Sequence, residues 1–331
     1  MNLPLRLQVA ALALSLMTLG AFAVDVPVNS VPVQTYRGVQ PGQPVDKLIW
    51  QGGIVMTSPD ATFGGLSGIT YTGSGHQLVM ASDEGNFVSG HLIYDEAGQP
   101  LGLGGVTISP IRNSKGAELP RKFAKDAEAI ETIKRDGVAA AIRVGFENLT
   151  RIADFDLVNG MPEGAAREVA IPQWLEDLRT NRSLESICIA PPASPVAGST
   201  LLLTEGMRVG DAYAGFMLGQ ADRGDLSISR TEGLNPTDCA FLPNGDLLVL
   251  ERGTSFLSFV MQVRHIAAAE VKPGNLMRGE VVLTGSGGDI DNMEGIAVHP
   301  GPDGKSRITI ISDDNFNDWE RSLLLEFSLA E

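Results

Sequence analysis

The sequence predicts an all-β protein that folds as a single closed β-propeller, and three observations lead to this prediction. Five segments of the chain align with one another, each reads as a β-hairpin, and their spacing is that of a propeller blade. Apolar residues come in short runs that Gly, Pro, Asn and Asp interrupt, as expected for short strands joined by tight turns. The repeats predict five blades, and a count of six stays open if two units are merged in this alignment.

Each repeat begins with a polar residue in front of a β-like run, and we call these five residues the anchors. They are Ser67, Glu128, Glu185, Asp238 and Glu294, at intervals of 61, 57, 53 and 56 residues. The β-like run usually ends in a turn that contains Gly, such as the Asn-Gly pair within residues 243–246, which is a strong hairpin signal. A second strand follows and ends on acidic or amide residues.

The fifth repeat lacks one strand, and the N-terminal part of the chain has a candidate for it. Each of the first four hairpins is followed by two weaker strand candidates, whereas only residues 321–329 follow the fifth. Residues 47–56 form an apolar run that suits the missing position. A blade built from both chain ends leaves no open sheet edge, so we expect residues 47–56 to pair with residues 321–329.

The N-terminus has the features of a secretory signal peptide. Arg6 supplies positive charge, an apolar run follows, and Ala21-Phe22-Ala23 is a small-x-small cleavage motif. We therefore expect cleavage after Ala23, a periplasmic or secreted protein, and no membrane span after cleavage. These features divide the chain into a signal peptide at residues 1–23, an extended leader at residues 24–46 and a propeller domain at residues 47–331.

The charge of the chain argues against two classes of partner. The chain has 25 basic and 40 acidic residues, a formal net charge of −15. A surface of this sign repels nucleic acid and anionic lipid and is compatible with divalent cations. We expect a monomer that binds a small-molecule ester or another small ligand and no nucleic acid.

The two cysteines leave two alternatives open. Cys188 and Cys239 both lie in apolar, strand-like runs. An exported chain meets an oxidising compartment, where a disulfide between them would form, whereas two buried free thiols would fit the same runs.

The anchors predict a ring of carboxylates at one mouth of the central channel. The first strand of each blade lines that channel, so anchors that start these strands lie at the same mouth. The second strands return to it and end on Asp83, Glu147, Glu205, Glu251 and Asp313. Carboxylates crowded in a narrow mouth repel one another unless they are protonated, paired with donors, or bound to a hard cation such as Ca²⁺ or Mg²⁺.

We expect a divalent cation, Ca²⁺, as the cofactor. Its predicted ligands are Glu128, Glu185, Asp238, Glu294 and Asp313. Glu294 is the predicted catalytic residue because it starts an inner strand and has Asn292 and Gly295 beside it. Arg252 is predicted to stabilise negative charge that develops in the reaction. The alternative is that each anchor only hydrogen-bonds backbone amides of the neighbouring blade.

The chain resembles the phytase-like family of exported bacterial proteins, which is named for an "esterase-like activity of phytase". The resemblance covers about residues 48–329. Six motifs carry it: GGLSG at 64–68, DAEA at 126–129, LES at 184–186, LLVLER at 247–252, DNMEG at 291–295 and ISDDNF at 311–316. Ser186 departs from the family pattern, which has Ala there, and Trp319-Glu320 replaces an expected Gln. The resemblance implies a propeller and hydrolysis of an ester or phosphoester. It assigns no catalytic residues to this chain.

Three functions are compatible with these observations. The first is a metal-dependent hydrolase of phosphate or carboxylate esters that acts at the acidic mouth. The second is a non-catalytic propeller that binds a ligand or partner there and holds a structural cation, and the third is a lactonase-like propeller. A cation with an open coordination position indicates catalysis, whereas a closed site is structural.

Overall fold

Five β-sheets form a ring in the computed structural model, which describes residues 23–73, 76–256 and 258–330. The predicted signal peptide lies outside the described residues except for Ala23. The innermost strand of each sheet contacts the innermost strands of both neighbouring sheets, and these contacts close the ring. The predicted all-β propeller is confirmed, and its blades number five.

The strands follow the repeats of the sequence. From residue 23 onward, four strands precede the first repeat: β1 (Val24–Asp25), β2 (Asn29–Val33), β3 (Pro44–Val45) and β4 (Leu48–Thr57). Blade 1 consists of β5 (Leu66–Tyr71), β6 (Gln77–Ser82), β7 (Asn86–Tyr94) and β8 (Pro100–Pro110). Blade 2 consists of β9 (Ala127–Arg135), β10 (Val138–Phe146), β11 (Arg151–Val158) and β12 (Met161–Val169). Blade 3 consists of β13 (Leu184–Ile189), β14 (Thr200–Val209), β15 (Ala212–Leu218) and β16 (Gly224–Ser229).

The remaining strands form blades 4 and 5. Blade 4 consists of β17 (Asn235–Phe241), β18 (Leu247–Ser255), β19 (Ser258–Ile266) and β21 (Glu280–Ser286), and β20 (Leu276–Met277) pairs with β16 of blade 3. Blade 5 contains β22 (Asn292–Pro300), β23 (Ser306–Asp313) and β24 (Ser322–Leu329). Two short α-helices, α1 (Lys122–Lys125) and α2 (Gln173–Glu176), and two 3₁₀ turns, Ala268–Glu270 and Gly287–Asp289, lie between strands.

Tight turns explain why neighbouring strands pair. The turns β9–β10 and β11–β12 contain Asp136-Gly137 and Asn159-Gly160, and all four residues have positive φ. This is the type I′ geometry, whose twist matches that of the flanking strands and which favours Asp or Asn followed by Gly.

Blade 5 is closed by the N-terminal strand. Strand β4 pairs antiparallel with β24, with Val55 opposite Leu323 and Leu48 opposite Leu329. The predicted pairing of residues 47–56 with residues 321–329 is therefore confirmed. Residues 24–46 also contribute strands, because β1 pairs with β8 whereas β2 and β3 pair with β4.

Apolar contacts between blades form the core. Inner strand β13 is buried at Leu184, Glu185, Ser186, Ile187 and Cys188, because neighbouring blades cover both of its faces. Its last three residues, Ile187, Cys188 and Ile189, form a continuous apolar run, as expected where both faces of a strand are covered.

One disulfide links two inner strands. Cys188 of β13 and Cys239 of β17 are bonded, with a Cα–Cα distance of 5.8 Å, so blades 3 and 4 are joined covalently beside the channel. Such a bond is typical of proteins outside the reducing cytosol. Within the described ranges, no helix has the length and apolar character needed to cross a membrane.

The acidic mouth as a candidate functional site

A β-bulge aims most of the anchors toward the channel mouth. The register of each inner strand with the second strand of its blade shifts by one residue near its start. In four blades the unpaired residue is an anchor, namely Ser67 in blade 1, Glu128 in blade 2, Glu185 in blade 3 and Glu294 in blade 5. In blade 4 the unpaired residue is Thr237. A bulge redirects a side chain and is common beside active sites. We call the mouth where these residues gather the acidic mouth.

Three carboxylates of blade 2 form the tightest group at this mouth. Asp126, Glu128 and Glu147 each offer one ligand atom, and these atoms lie within 4.8 Å of one another. The backbone positions them, because Glu147 follows the end of β10 and its N–H donates to the Asp126 carbonyl at 2.9 Å. Asn148 also donates a hydrogen bond from its side chain to Asp126. Burial, followed by the charges of Asp126 and Glu147, raises the pKa of Glu128 well above its usual range.

Glu185 of blade 3 extends this group across the blade boundary. Its side chain shares a hydrogen bond with Glu147, and burial raises its pKa well above the usual range. Burial also raises the pKa of Glu147 to about 7, although hydrogen bonds from Glu185 and from the Ser183 N–H lower it in part. Two carboxyl groups can share a hydrogen bond only when one of them carries a proton. The pair formed by Glu147 and Glu185 therefore needs a proton, or a cation in its place.

Blades 4 and 5 meet at the mouth through an ion pair. Arg252 Nη2 lies 2.9 Å from Glu294 Oε1, and both side chains are mostly buried. Burial raises the pKa of Glu294 to about 8 even though the Arg252 charge and a hydrogen bond from Asn292 lower it in part. Arg252 Nε and Asn292 Oδ1 are buried and have no hydrogen-bond partner among the described residues.

Asp313 and Asp83 complete the mouth on the side of blades 5 and 1. Burial raises the pKa of Asp313 to about 7, and its Oδ1 accepts a hydrogen bond from Asn315 N–H at 2.7 Å. Lys122 from α1 is hydrogen-bonded to Asp83 and lies 3.6 Å from Asp126 Oδ1. This lysine is a built-in cation at the rim of the group.

Asp238 has a different environment from the other anchors. Thr237 is the bulged residue of β17, so Asp238 takes the position of Gly68 and Gly295 in their strands. Its two carboxylate oxygens accept hydrogen bonds from Cys239 N–H and Ile296 N–H, both at 2.8 Å. The bond from Ile296 ties blade 4 to blade 5, which is the role foreseen in the alternative interpretation of the anchors. Asp238 as a metal ligand stays a prediction.

Glu251 does not contribute to the ring of carboxylates, in contrast to the prediction. Successive side chains of a strand point to opposite faces, so Glu251 and Arg252 of β18 face different blades. Glu251 is fully buried, pairs with Arg264 and accepts a hydrogen bond from Gln262. Glu205, in contrast, lies within electrostatic reach of Glu294 and Arg252.

The donor set fits a hard divalent cation. The group formed by Asp126, Glu128 and Glu147 offers only oxygen atoms, which suits Ca²⁺ or Mg²⁺. The unpartnered Oδ1 of buried Asn292 is one more oxygen at the same mouth. Sequence reasoning missed Asp126 as a ligand because it followed only the repeated positions, and it used Asn292 only as a neighbour of Glu294 and not as an oxygen donor.

No curated protein matches this chain. Among the solved structures that match is the β-propeller domain of Cps50 (Swd1) from Myceliophteria thermophila, with 10% sequence identity and a TM-score of 0.39 over 94% of this chain and 99% of that one. The family model described as "Phytase-like: Esterase-like activity of phytase" matches residues 61–316. Because this match covers more than half of the chain, the protein belongs to the phytase-like family.

Proposed function

We propose that this protein is a metal-dependent hydrolase of phosphate or carboxylate esters that acts at the acidic mouth. The observation that carries the proposal is the group of Asp126, Glu128 and Glu147, whose carboxylate atoms converge within 4.8 Å in a largely buried setting. Membership of a family described by an esterase-like activity supports the reaction class. Ca²⁺ is the proposed cation, held by Asp126, Glu128 and Glu147, with Glu185, Asp238, Glu294 and Asp313 as further candidate ligands.

A bound cation would supply Lewis acidity, which polarises the carbonyl or phosphoryl oxygen of an ester. It would also offset the negative charge that otherwise repels an anionic ester.

Two side chains of the mouth have the chemistry to transfer a proton and to stabilise negative charge during hydrolysis. Glu294 has a pKa of about 8, which is close to neutrality and suits a group that takes up and returns a proton. Arg252 has a buried Nε without a partner among the described residues, so this N–H is free to donate to an oxygen that gains negative charge. We propose Glu294 as general base and Arg252 as the stabilising cation.

We also propose that the protein acts as a monomer in the periplasm or outside the cell. The Ala21-Phe22-Ala23 motif supports export, and the bond between Cys188 and Cys239 suits an oxidising compartment.

Two variants on strand β9 test the cation site. Glu128→Gln removes a charge from the group, whereas Glu131→Gln removes a buried carboxylate three residues further along that hydrogen-bonds Thr132 N–H and Thr70 instead. Cation binding to chelator-treated protein is measured by calorimetry with Ca²⁺, Mg²⁺ and Mn²⁺, and hydrolysis is measured on a panel of phosphate and acyl esters.

We expect Glu128→Gln to lose hydrolysis and most cation affinity, and Glu131→Gln to keep both. If wild-type protein binds a cation but hydrolyses none of the esters, the non-catalytic binding propeller replaces the enzyme. If no cation binds, the metal site itself is wrong.

A further inference from the structure

The exposed aromatic side chains of this protein are confined to one face. Four aromatic residues are exposed among the described residues: Phe123, Phe256, Phe316 and Trp319. Phe123 belongs to α1 in front of Asp126, Phe256 follows the end of β18, and the other two lie between β23 and β24. All these segments are at the end of the propeller that carries the acidic mouth. Other exposed apolar side chains, such as Val138, are aliphatic and lie elsewhere as well, so the placement of the aromatic residues at this end is a feature that a ligand can use.

Phe316 is held in a fixed position next to the mouth. Asn315 and Phe316 have φ values of 46° and 51°, a left-handed conformation that is uncommon for a residue such as Phe. Asp314 Oδ1 accepts the N–H of Phe316 at 3.1 Å and that of Gly65 at 3.0 Å. The ring lies against Gly65, where an added Cβ would come within 2.4 Å of Phe316 Cε2. The exposed 43% of Phe316 is therefore a rigid aromatic surface.

A cavity of about 650 Å³ opens beside this ring. Its charged side chains are Asp83, Glu84, Lys122 and Lys125, whose formal charges cancel. Asn86 and Asn315 add two amides, which both donate and accept hydrogen bonds. In a protein with a net charge of −15, this is a locally neutral and polar cavity with one aromatic wall.

These properties select a class of ligand. A lipid chain would bury the polar lining without partners, and an ion finds no net charge to bind. Peptides are usually held by an open sheet edge or by apolar side-chain pockets, neither of which is a feature of this lining. A sugar ring fits, because its C–H face packs on an aromatic ring while its hydroxyl groups both donate and accept hydrogen bonds.

We infer that the acidic-mouth face binds a neutral glycan, with one sugar ring against Phe316 in the cavity and further rings on exposed aromatic residues such as Trp319. The inference rests on the proposed function in one respect only: the ester hydrolysed at the mouth would then be a carboxylate ester, an acyl group on that glycan. Binding itself requires no hydrolysis, so the two are tested separately.

Binding of linear neutral hexasaccharides tests the inference, with cello-, xylo-, malto- and β-1,3-gluco-oligosaccharides as probes. Of the three tryptophans, Trp319 is 87% exposed, Trp174 is partly buried and Trp50 is fully buried, so a fluorescence change that disappears in Trp319→Ala reports on Trp319, with calorimetry as the second readout. We expect millimolar binding of at least one glycan. Trp319→Ala and Phe316→Leu, which keeps apolar volume but has no flat face, should each weaken binding by about tenfold.

Val138→Ala is the matched control, because Val138 is 68% exposed and begins β10 at the opposite mouth. Its glycan affinity should equal that of wild type, and thermal melts establish that all variants are folded. The inference is overturned if no glycan binds, if Trp319→Ala and Phe316→Leu bind as wild type does, or if a neutral aromatic peptide binds in place of the glycans. If wild-type protein binds a glycan but hydrolyses none of the esters, only the proposed function is contradicted.

Discussion

Arg252 of blade 4 and Glu294 of blade 5 form an ion pair across a blade boundary, with 2.9 Å between Nη2 and Oε1. The neighbouring Glu251 faces blade 3 and pairs with Arg264. Two adjacent residues of β18 therefore connect blade 4 to different partners, one of them fully buried in a blade interface and the other at the acidic mouth. Under the proposed function, a change of charge at the mouth acts on ester hydrolysis as well as on stability.

The first prediction separates these two effects. Arg252→Gln should lower kcat/KM for ester hydrolysis by about 10²–10³, because one donor to developing negative charge is lost. It should also lower the free energy of unfolding by about 3 kcal/mol, because Glu294 loses its partner. The double variant Arg252→Gln/Glu294→Gln should regain stability in urea titrations but stay inactive. A double variant that is active would show that neither residue takes part in the reaction.

The second prediction concerns the lysine that competes with the cation. Lys122 Nζ bonds Asp83 and lies 3.4 Å from Glu84 Oε1 and 3.6 Å from Asp126 Oδ1. Lys122→Gln should tighten Ca²⁺ binding about fivefold, or about 1 kcal/mol, since half-exposed charges interact weakly through solvent. The gain should shrink as salt rises.

Lys47→Gln is its control, because Lys47 forms an exposed pair with Glu280 away from the mouth. Equal calcium affinities for Lys122→Gln and wild type, measured by calorimetry at low salt, would contradict a cation site beside Asp126.

The repeat made much of this site predictable from sequence. Glu128, Glu185 and Glu294 recur because each is the bulged residue at the start of an inner strand, and a repeated backbone feature leaves a repeated residue. The pairing of residues 47–56 with residues 321–329 followed from counting strands in the fifth unit.

Other features had no signal in the sequence. The bulge of β17 falls at Thr237, so an alignment by residue type matched Asp238 to the wrong register. Which of two neighbouring residues, Glu251 or Arg252, faces the mouth depends on the same one-residue register. The bond between Cys188 and Cys239 depends on the distance between two blades, which spacing along the chain does not determine.

The third prediction tests closure of the ring. Trp50 of β4 is fully buried, with its ring 5.4 Å from Tyr36 and 5.0 Å from Phe327 of β24. Trp50→Ala should lower the free energy of unfolding by about 3–5 kcal/mol, because a large cavity opens where the two chain ends meet. Trp319→Ala, at an exposed position, should leave the urea midpoint unchanged. Similar stabilities for both variants would mean that β4 contributes little to closure.

The fourth prediction concerns the disulfide. The bond closes a loop with a sequence separation of 51 residues, and chain entropy gives such a link a stabilisation of about 4 kcal/mol. Cys188→Ala/Cys239→Ala should lose this amount in urea unfolding. Reduction of unfolded wild type before refolding should give the same loss, and no change in either case would contradict a bond that forms in the native protein.

The last prediction is a pH dependence that comes from a carboxyl group outside the cation group. Burial raises the pKa of Glu131 from 4.5 to about 7, with hydrogen bonds from Thr132 N–H and Thr70 opposing the shift. The folded state therefore binds more protons than the unfolded state between these two values, and stability falls with rising pH in this window. The stabilisation is fully present below pH 4.5 and is lost as pH rises through about 7, a loss on the order of 3 kcal/mol.

Glu131→Gln keeps the shape and an acceptor oxygen but has no proton to lose. Its unfolding free energy relative to wild type should therefore increase by this amount between pH 4.5 and pH 8 in chelator-treated protein. Parallel pH profiles for the two proteins would show that Glu131 titrates normally and is not desolvated in the channel.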